Sequence, residues 1–289
     1  MQICDLLQHI EISEFSEVMT PYRKLVEKFD VFVDGGAGLG ETAAKMMKAL
    51  PDDDFRIIAF EPNGSNVEAF RETDERITLI PKAMGAENGQ AEFFVSQNTQ
   101  RTSDTNKYLV LGTSFVGRLS QQADAKRDGA RYLVDVVPMA ETLRDMDLSS
   151  ADFIKLDLQG GELDALKGAG DMLKSVQWMW IEYGGQPNLL SFLKDNGFIL
   201  FDTEYLFSGE PTESVLETFT ITRSGTNSIN RKIFFGRRKN IWFDYEERFK
   251  YFRKEGMIQT DLVAVSPQYI EAFTNACIEV SRMKKTARK

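Results

Sequence analysis

A doubly wound α/β fold, with a mostly parallel sheet, flanking helices and an antiparallel last strand, is predicted by three observations. Strand and helix periodicities alternate from Val31 to Tyr205; a glycine-rich turn joins the first such strand to the first core helix; and Asp34, Glu61 and Asp157 close three of the strands. In open sheets of this kind ligands bind beyond the carboxyl ends of the strands, so the three acids are expected to line one crevice.

In chain order, Thr20 as N-cap and Pro21 at the first helical position predict a helix carrying Tyr22, Leu25, Val26 and Phe29 on one face. Next come the strand VFVDGG, the helix GETAAKMMKAL, the strand FRIIAFEP, the helix NVEAFRET and the strand RITLIPKAM. QAEFFVS and ARYLVDVVPM are further strand candidates, separated by a long polar segment that contains LGTSF. A loop of that length in a compact domain usually covers a site or is mobile. Alternation resumes with DFIKLDL, GELDALKGAGDML, VQWMWIEYG, PNLLSFLKDN and GFILFDTEY. Residues 206–258 break the pattern and read as an insertion. TDLVAVSP then supplies the last strand, and Ser266 with Pro267 opens a final helix. The expected organisation is a single domain: a helical segment 1–30, a core 31–205, the insertion, and 259–289 closing it.

The 289 residues, 42% of them apolar, suffice for a sizeable core, and the net charge of −9 disfavours nucleic acid and anionic membranes as partners. A small-molecule or glycan partner fits better, and homo-oligomerisation is left open. Cys4 and Cys277 form no framework, and no run reaches the roughly 18 apolar residues of a membrane helix. A cytoplasmic protein is expected.

The glycine turn poses the functional question. Its spacing is Asp34-x-Gly36-x-Gly38-x-Gly40, and Glu41 stands where a dinucleotide fingerprint needs its third glycine. A pyrophosphate would also face Asp34, at a like-charge cost. A cationic ligand would be attracted instead, with Asp34, Gly35, Gly36, Ala37 and Gly38 around it. Glu61, followed by Pro62 and Asn63, ends the second strand about 20 residues later, where a carboxylate accepts from ribose hydroxyls. S-adenosylmethionine has the ribose, an ammonium and a sulfonium, and no phosphate.

The blocks VFVDGGAGLG, IIAFEPN, DFIKLDLQGGELDALKGA and WIEYG, spanning Val31 to Gly184, resemble the FkbM-type S-adenosylmethionine-dependent methyltransferases. The resemblance implies a class I methyltransferase (Rossmann-like) fold and methyl transfer to oxygen, with sugar hydroxyls of glycans or secondary metabolites as acceptors and S-adenosylhomocysteine as product. It also implies that Asp34, Gly36 and Gly38 hold the methionine end, Glu61 the ribose, and backbone near Ala83 the adenine edge. Thr113 and Ser114 match a Ser/Thr-bearing loop, and Gln159 stands where Glu is commoner.

Methyl transfer requires in-line alignment and a base for the acceptor proton. Asp157 ends the fourth strand and Glu182 the fifth, so the two are expected to be neighbours, with one pKa raised. Asp157 is the first choice of base. Asp157 also falls within reach of the cofactor, and Lys155, on the same face of its strand, is expected to pair with a carboxylate or orient the acceptor. Glu162 favours the dipole of its helix. The lone His9 precedes the core, where a surface role is expected. No H-x-x-H, D-x-D-x-D or cysteine cluster points to a metal, although a divalent ion held by separated acids stays open. The basic run from Arg231 to Lys239 reads as a hairpin with basic edges. The competing functions are a cofactor-binding protein without catalysis and, less favoured by the glycine spacing, a nicotinamide oxidoreductase.

Overall fold

The computed structural model describes residues 12, 14–70, 74–96, 112–114, 129–183, 186, 188–202, 207–208, 219–221, 231–233 and 260–287. Cys4, His9, the stretch 234–239 and most of the expected insertion lie outside them. The elements run α1 (Phe15–Arg23), β1 (Val31–Gly35), α2 (Glu41–Ala49), β2 (Arg56–Phe60), α3 (Gly64–Ala69), β3 (Ile77–Ile80), β4 (Ala83–Met84), β5 (Gly89–Ser96), β6 (Gly112–Ser114) and β7 (Gly129–Val137). They continue with α4 (Met139–Asp145), β8 (Phe153–Leu156), α5 (Glu162–Ala169), β9 (Trp178–Tyr183), α6 (Leu189–Asp195), β10 (Ile199–Asp202), β11 (Phe207–Ser208), β12 (Phe219–Ile221), β13 (Arg231–Ile233), β14 (Thr260–Val265) and α7 (Ile270–Ala287). The chain forms two compact units, one of residues Phe29–Val176 and the other of 1–28 with Gln177–Lys289.

In the first unit four parallel strands lie in the order β8-β1-β2-β3. Every residue of β1 is buried, as expected of a central parallel strand covered on both faces. Phe32 and Phe153 stack at 4.8 Å between β1 and β8. The buried Asp152 accepts from the amides of Asp30 and Val31, which fixes the entry into β1. This is the βαβ alternation read from the sequence.

RITLIPKAM is not one strand, however. Pro81 cannot donate to a ladder, Lys82 N turns back to Ile80 O at 2.8 Å, and Ala83–Met84 joins a second sheet, ordered β4-β7-β5-β6. QAEFFVS and ARYLVDVVPM are its antiparallel centre, β5 and β7. Along β7, Arg131, Leu133 and Asp135 are exposed while Val134 and Val136 pack with Ala83 and Phe93, the period-two pattern of a sheet with one face covered. Helix α4 follows Pro138 and has no counterpart in the sequence reading.

In the second unit the order is β9-β14-β10-β11, and β14 runs antiparallel to both neighbours. The last strand is therefore antiparallel, as anticipated. From the insertion, β12 and β13 pair antiparallel with Arg231 and Lys232 on β13, and the rest of the expected basic hairpin lies outside the described residues. Tyr22 and Phe273 pack on Trp178, and the Tyr22 hydroxyl donates to Gln177 Oε1 at 2.8 Å. Lys284 of α7 pairs with Glu17 of α1 at 2.9 Å.

The first helix begins earlier than predicted. Phe15, Val18, Met19 and Tyr22 form a buried stripe at helical spacing, so Thr20 and Pro21 sit in its last turns and Leu25 is left exposed. The stripe outweighs the Thr-Pro start signal. At the other end Pro267 opens a 3-10 turn that leads into α7, close to prediction. No described helix is long and apolar enough to cross a membrane.

Candidate functional site

The glycine turn takes left-handed backbone conformations that favour glycine. Gly36, Gly38 and Gly40 have φ of 76°, 57° and 89°. A Cβ on Gly36 would run into the Asp157 carbonyl, whereas one on Gly38 would meet nothing within 4 Å. The two glycines therefore do different things: Gly36 lets β1 and β8 close together at their ends, and Gly38 borders open space. Several turn amides are already used. Those of Gly36 and Ala37 both donate to Phe60 O at 3.0 Å, and Gly40 N donates to Ala37 O at 2.9 Å.

Asp34 ends β1 fully buried. The β1–β8 register sets it beside Lys155, whose Nζ is 3.4 Å from Oδ1, 3.9 Å from Asp157 Oδ2 and 3.2 Å from the Gly36 carbonyl to which it donates. Burial pushes the Asp34 carboxyl above its ordinary range; Lys155 opposes the rise and Asp157 adds to it. Asp34, where the sequence reading expects a cationic ligand, also has a cation of its own fold beside it, a lysine two residues before Asp157.

Glu61 is buried at the end of β2, accepting from Gly38 N at 2.8 Å and Asn63 N at 2.9 Å. Burial raises its pKa, against hydrogen bonds from Asn63, Gly38 and Asn66, with a small further rise from Asp34. Two carboxylate oxygens offer about four lone pairs, so three donors still leave acceptor capacity over. Among the described residues of the first unit, the polar side-chain atoms buried without a hydrogen-bond partner are Asn63 Nδ2, Asn66 Oδ1, the Tyr132 hydroxyl and both carboxylate oxygens of Asp34, which has Lys155 as an ion-pair partner at 3.4 Å. An unpaired buried polar group costs about 1–3 kcal/mol, so several close together indicate a ligand that completes them. Asn63 also accepts from Ser65 N and caps α3, while Pro62 is half-buried. Donors, acceptors and a carboxylate with lone pairs to spare fit a ribose, so the residues present suit the expected cofactor. Asn66 and Tyr132 were not read from the sequence. Asn66 is three residues beyond Asn63 at a helix start, a spacing that could have suggested it.

Asp157 follows β8 with its side chain 43% exposed. Gln159, held at a left-handed φ of 56°, donates to Asp157 Oδ1 at 2.8 Å. The buried Glu162 accepts from the amides of Leu158 at 2.9 Å and Gly160 at 3.0 Å, tying down the turn between Asp157 and α5. Strain of this kind persists where the surroundings over-determine it, commonly at ligand sites. Asp157 is thus reachable from solvent and fixed from two sides, by Lys155 and Gln159. The first unit brings together Asp34, Gly35, Gly36, Ala37, Gly38, Glu61, Asn63 and Asp157. Ala83 is buried on β4, and Ser114 pairs through its backbone with Phe93. Glu182 belongs to the second unit, opposite Asp261 in the β9–β14 register.

The chain is similar to known methyltransferases in sequence. It is 26% identical over 168 residues to the 2-O-methyltransferase NoeI of Sinorhizobium fredii, covering 56% of this chain and 67% of that protein. It is 22% identical over 158 residues to the hexuronic acid methyltransferase AglP of Haloferax volcanii, covering 54% and 56%. The chain thus spans between about half and two thirds of these relatives. Among solved structures, the FkbM methyltransferase of Methylobacillus flagellatus has a TM-score of 0.40 at 17% identity, covering 69% of this chain and 54% of that one. The model of the methyltransferase FkbM domain matches residues 34–200, from the carboxylate before the glycines to β10, and the chain belongs to the methyltransferase FkbM family.

Proposed function

We propose that the protein transfers a methyl group from S-adenosylmethionine to a hydroxyl of a sugar. The observation that carries this reading is the Glu61 pocket: a buried carboxylate at the end of β2 with spare lone pairs, flanked by the unpaired amide atoms of Asn63 and Asn66. Glu61 accepts from the ribose hydroxyls, and the open space at Gly38 admits the ligand close to the backbone. S-adenosylmethionine, when bound, supplies the electrophilic methyl carbon. Asp157 takes the acceptor's proton; Gln159 and Lys155 hold its two oxygens, so that its orientation is set before the acceptor arrives. The sugar acceptor is supported by the two curated relatives, one named a 2-O-methyltransferase and the other a hexuronic acid methyltransferase.

The test is a screen of mono- and oligosaccharides with methyl-labelled S-adenosylmethionine, read by mass spectrometry, with and without chelator and with Asp157→Asn as control. The expected result is a labelled O-methyl sugar, formed with chelator present and slowed about 10²- to 10⁴-fold in the variant. Label carried only by non-sugar acceptors would overturn the acceptor class. Wild-type turnover by Asp157→Asn would remove Asp157 as base.

A further inference from the structure

Tyr132 is the one aromatic hydroxyl of the first unit that is buried without a hydrogen-bond partner among the described residues. Its ring packs on Phe93 at 5.4 Å, directly across the β5–β7 register, and against the cluster formed by Ala83, Phe93, Val134 and Val136. Ala83 and Val136 are themselves partners in the β4–β7 register. Tyr132, Val134 and Val136 alternate along β7 onto the face that carries Ala83, so the phenol extends the wall that Ala83 begins. Burial pushes the phenol up to about 12, and the Glu61 carboxylate adds to the rise. Glu61 N donates to Ile80 O at 3.1 Å, three residues before Ala83, so the wall that Tyr132 extends adjoins the end of β2, and no hydrogen bond joins the hydroxyl to Glu61. A group that donates to a carboxylate while accepting from a phenol would bridge the two. A sugar hydroxyl does both at once, whereas each ring nitrogen of a neutral adenine only accepts and its amino group only donates.

We infer that Tyr132 is a specificity-determining residue of the cofactor site, donating its hydroxyl hydrogen to a ribose hydroxyl that in turn donates to Glu61. The assignment rests on the reading of the Glu61 pocket as the ribose subsite. It gives the β4-β7-β5 sheet, outside the parallel sheet that carries the glycine turn, a direct part in recognising the nucleoside. Tyr132→Phe keeps the ring and its packing on Phe93 and removes only the hydroxyl.

The experiment is a calorimetric titration of wild-type protein and Tyr132→Phe with S-adenosylhomocysteine and with its 2′-deoxy and 3′-deoxy counterparts. Tyr132→Phe should bind S-adenosylhomocysteine about tenfold more weakly than wild type, as for one neutral hydrogen bond. One of the two deoxy ligands should bind both proteins equally, because the hydroxyl that Tyr132 meets is already gone. Equal affinity of both proteins for S-adenosylhomocysteine overturns the assignment. An equal loss for all three ligands does so too, since it marks Tyr132 as structural. Failure of the wild-type protein to bind any of the three overturns the cofactor reading itself, and the assignment with it.

Discussion

Asp34 and Glu61 end neighbouring parallel strands, are both buried, and both have carboxyls raised by that burial, yet the chain treats them differently. Asp34 meets a lysine of its own fold, and three amides of the adjoining turn are used internally. Glu61 meets only backbone and side-chain amides, and the buried polar atoms of Asn63, Asn66 and Tyr132 are left unpaired. Asp34 is offset by a cation of its own fold, although neither of its oxygens has a hydrogen-bond partner, whereas Glu61 is held by hydrogen bonds from the backbone. The difference teaches that neighbouring buried carboxylates can be offset in two ways, by a cation of the fold or by hydrogen bonds from the backbone. What marks a ligand site is the set of groups that the chain brings together and does not satisfy.

The comparison predicts its largest effect at Lys155. Lys155→Met strands the Asp34 charge without a partner, and breaking a buried pair from one side costs about 3–5 kcal/mol. Urea unfolding at neutral pH should show a loss of that order, and Asp34→Asn introduced into the same background should recover part of it. If Lys155→Met unfolds like the wild type, Asp34 is not balanced by this lysine and its charge is free for a ligand.

A smaller effect follows from the raised carboxyls. Above their ordinary values of 3.8 and 4.5, the folded chain holds protons on Asp34 and Glu61 that the unfolded chain has released. Their contribution to stability is thus full below those values and declines as pH rises through the shifted ones. Glu61→Ala should therefore cost less stability at pH 7.5 than at pH 4.5, as measured by urea unfolding of the ligand-free protein. A cost that grew with pH would mean that the hydrogen bonds from Gly38 and Asn63 outweigh burial.

Much of the Glu61 region was legible in the sequence because its parts are local. Glu61, Pro62 and Asn63 follow one strand directly, and the glycine spacing stated its own backbone demand. The partner of Asp34 was not legible in the same way. Lys155 was noted as a carboxylate's partner, but which carboxylate depends on the register of β1 against β8, two strands far apart in the chain. Tyr132 was hidden for a related reason: ARYLVDVVPM reads as a strand, but its membership of a second sheet follows from the break at Pro81 and the β5–β7 pairing. The first helix shows two local signals in conflict, a Thr-Pro start and an apolar stripe beginning at Phe15, with burial deciding between them.

The central claim, that Glu61 presents an open cofactor contact, is tested most directly by calorimetry of S-adenosylhomocysteine with the wild-type protein and Glu61→Ala, with NAD as the competing ligand. The account predicts that the wild type binds S-adenosylhomocysteine and not NAD, and that Glu61→Ala weakens binding by about 1.5–3 kcal/mol, roughly 10- to 150-fold. Unchanged affinity in Glu61→Ala, or tighter binding of NAD by the wild type, would contradict it.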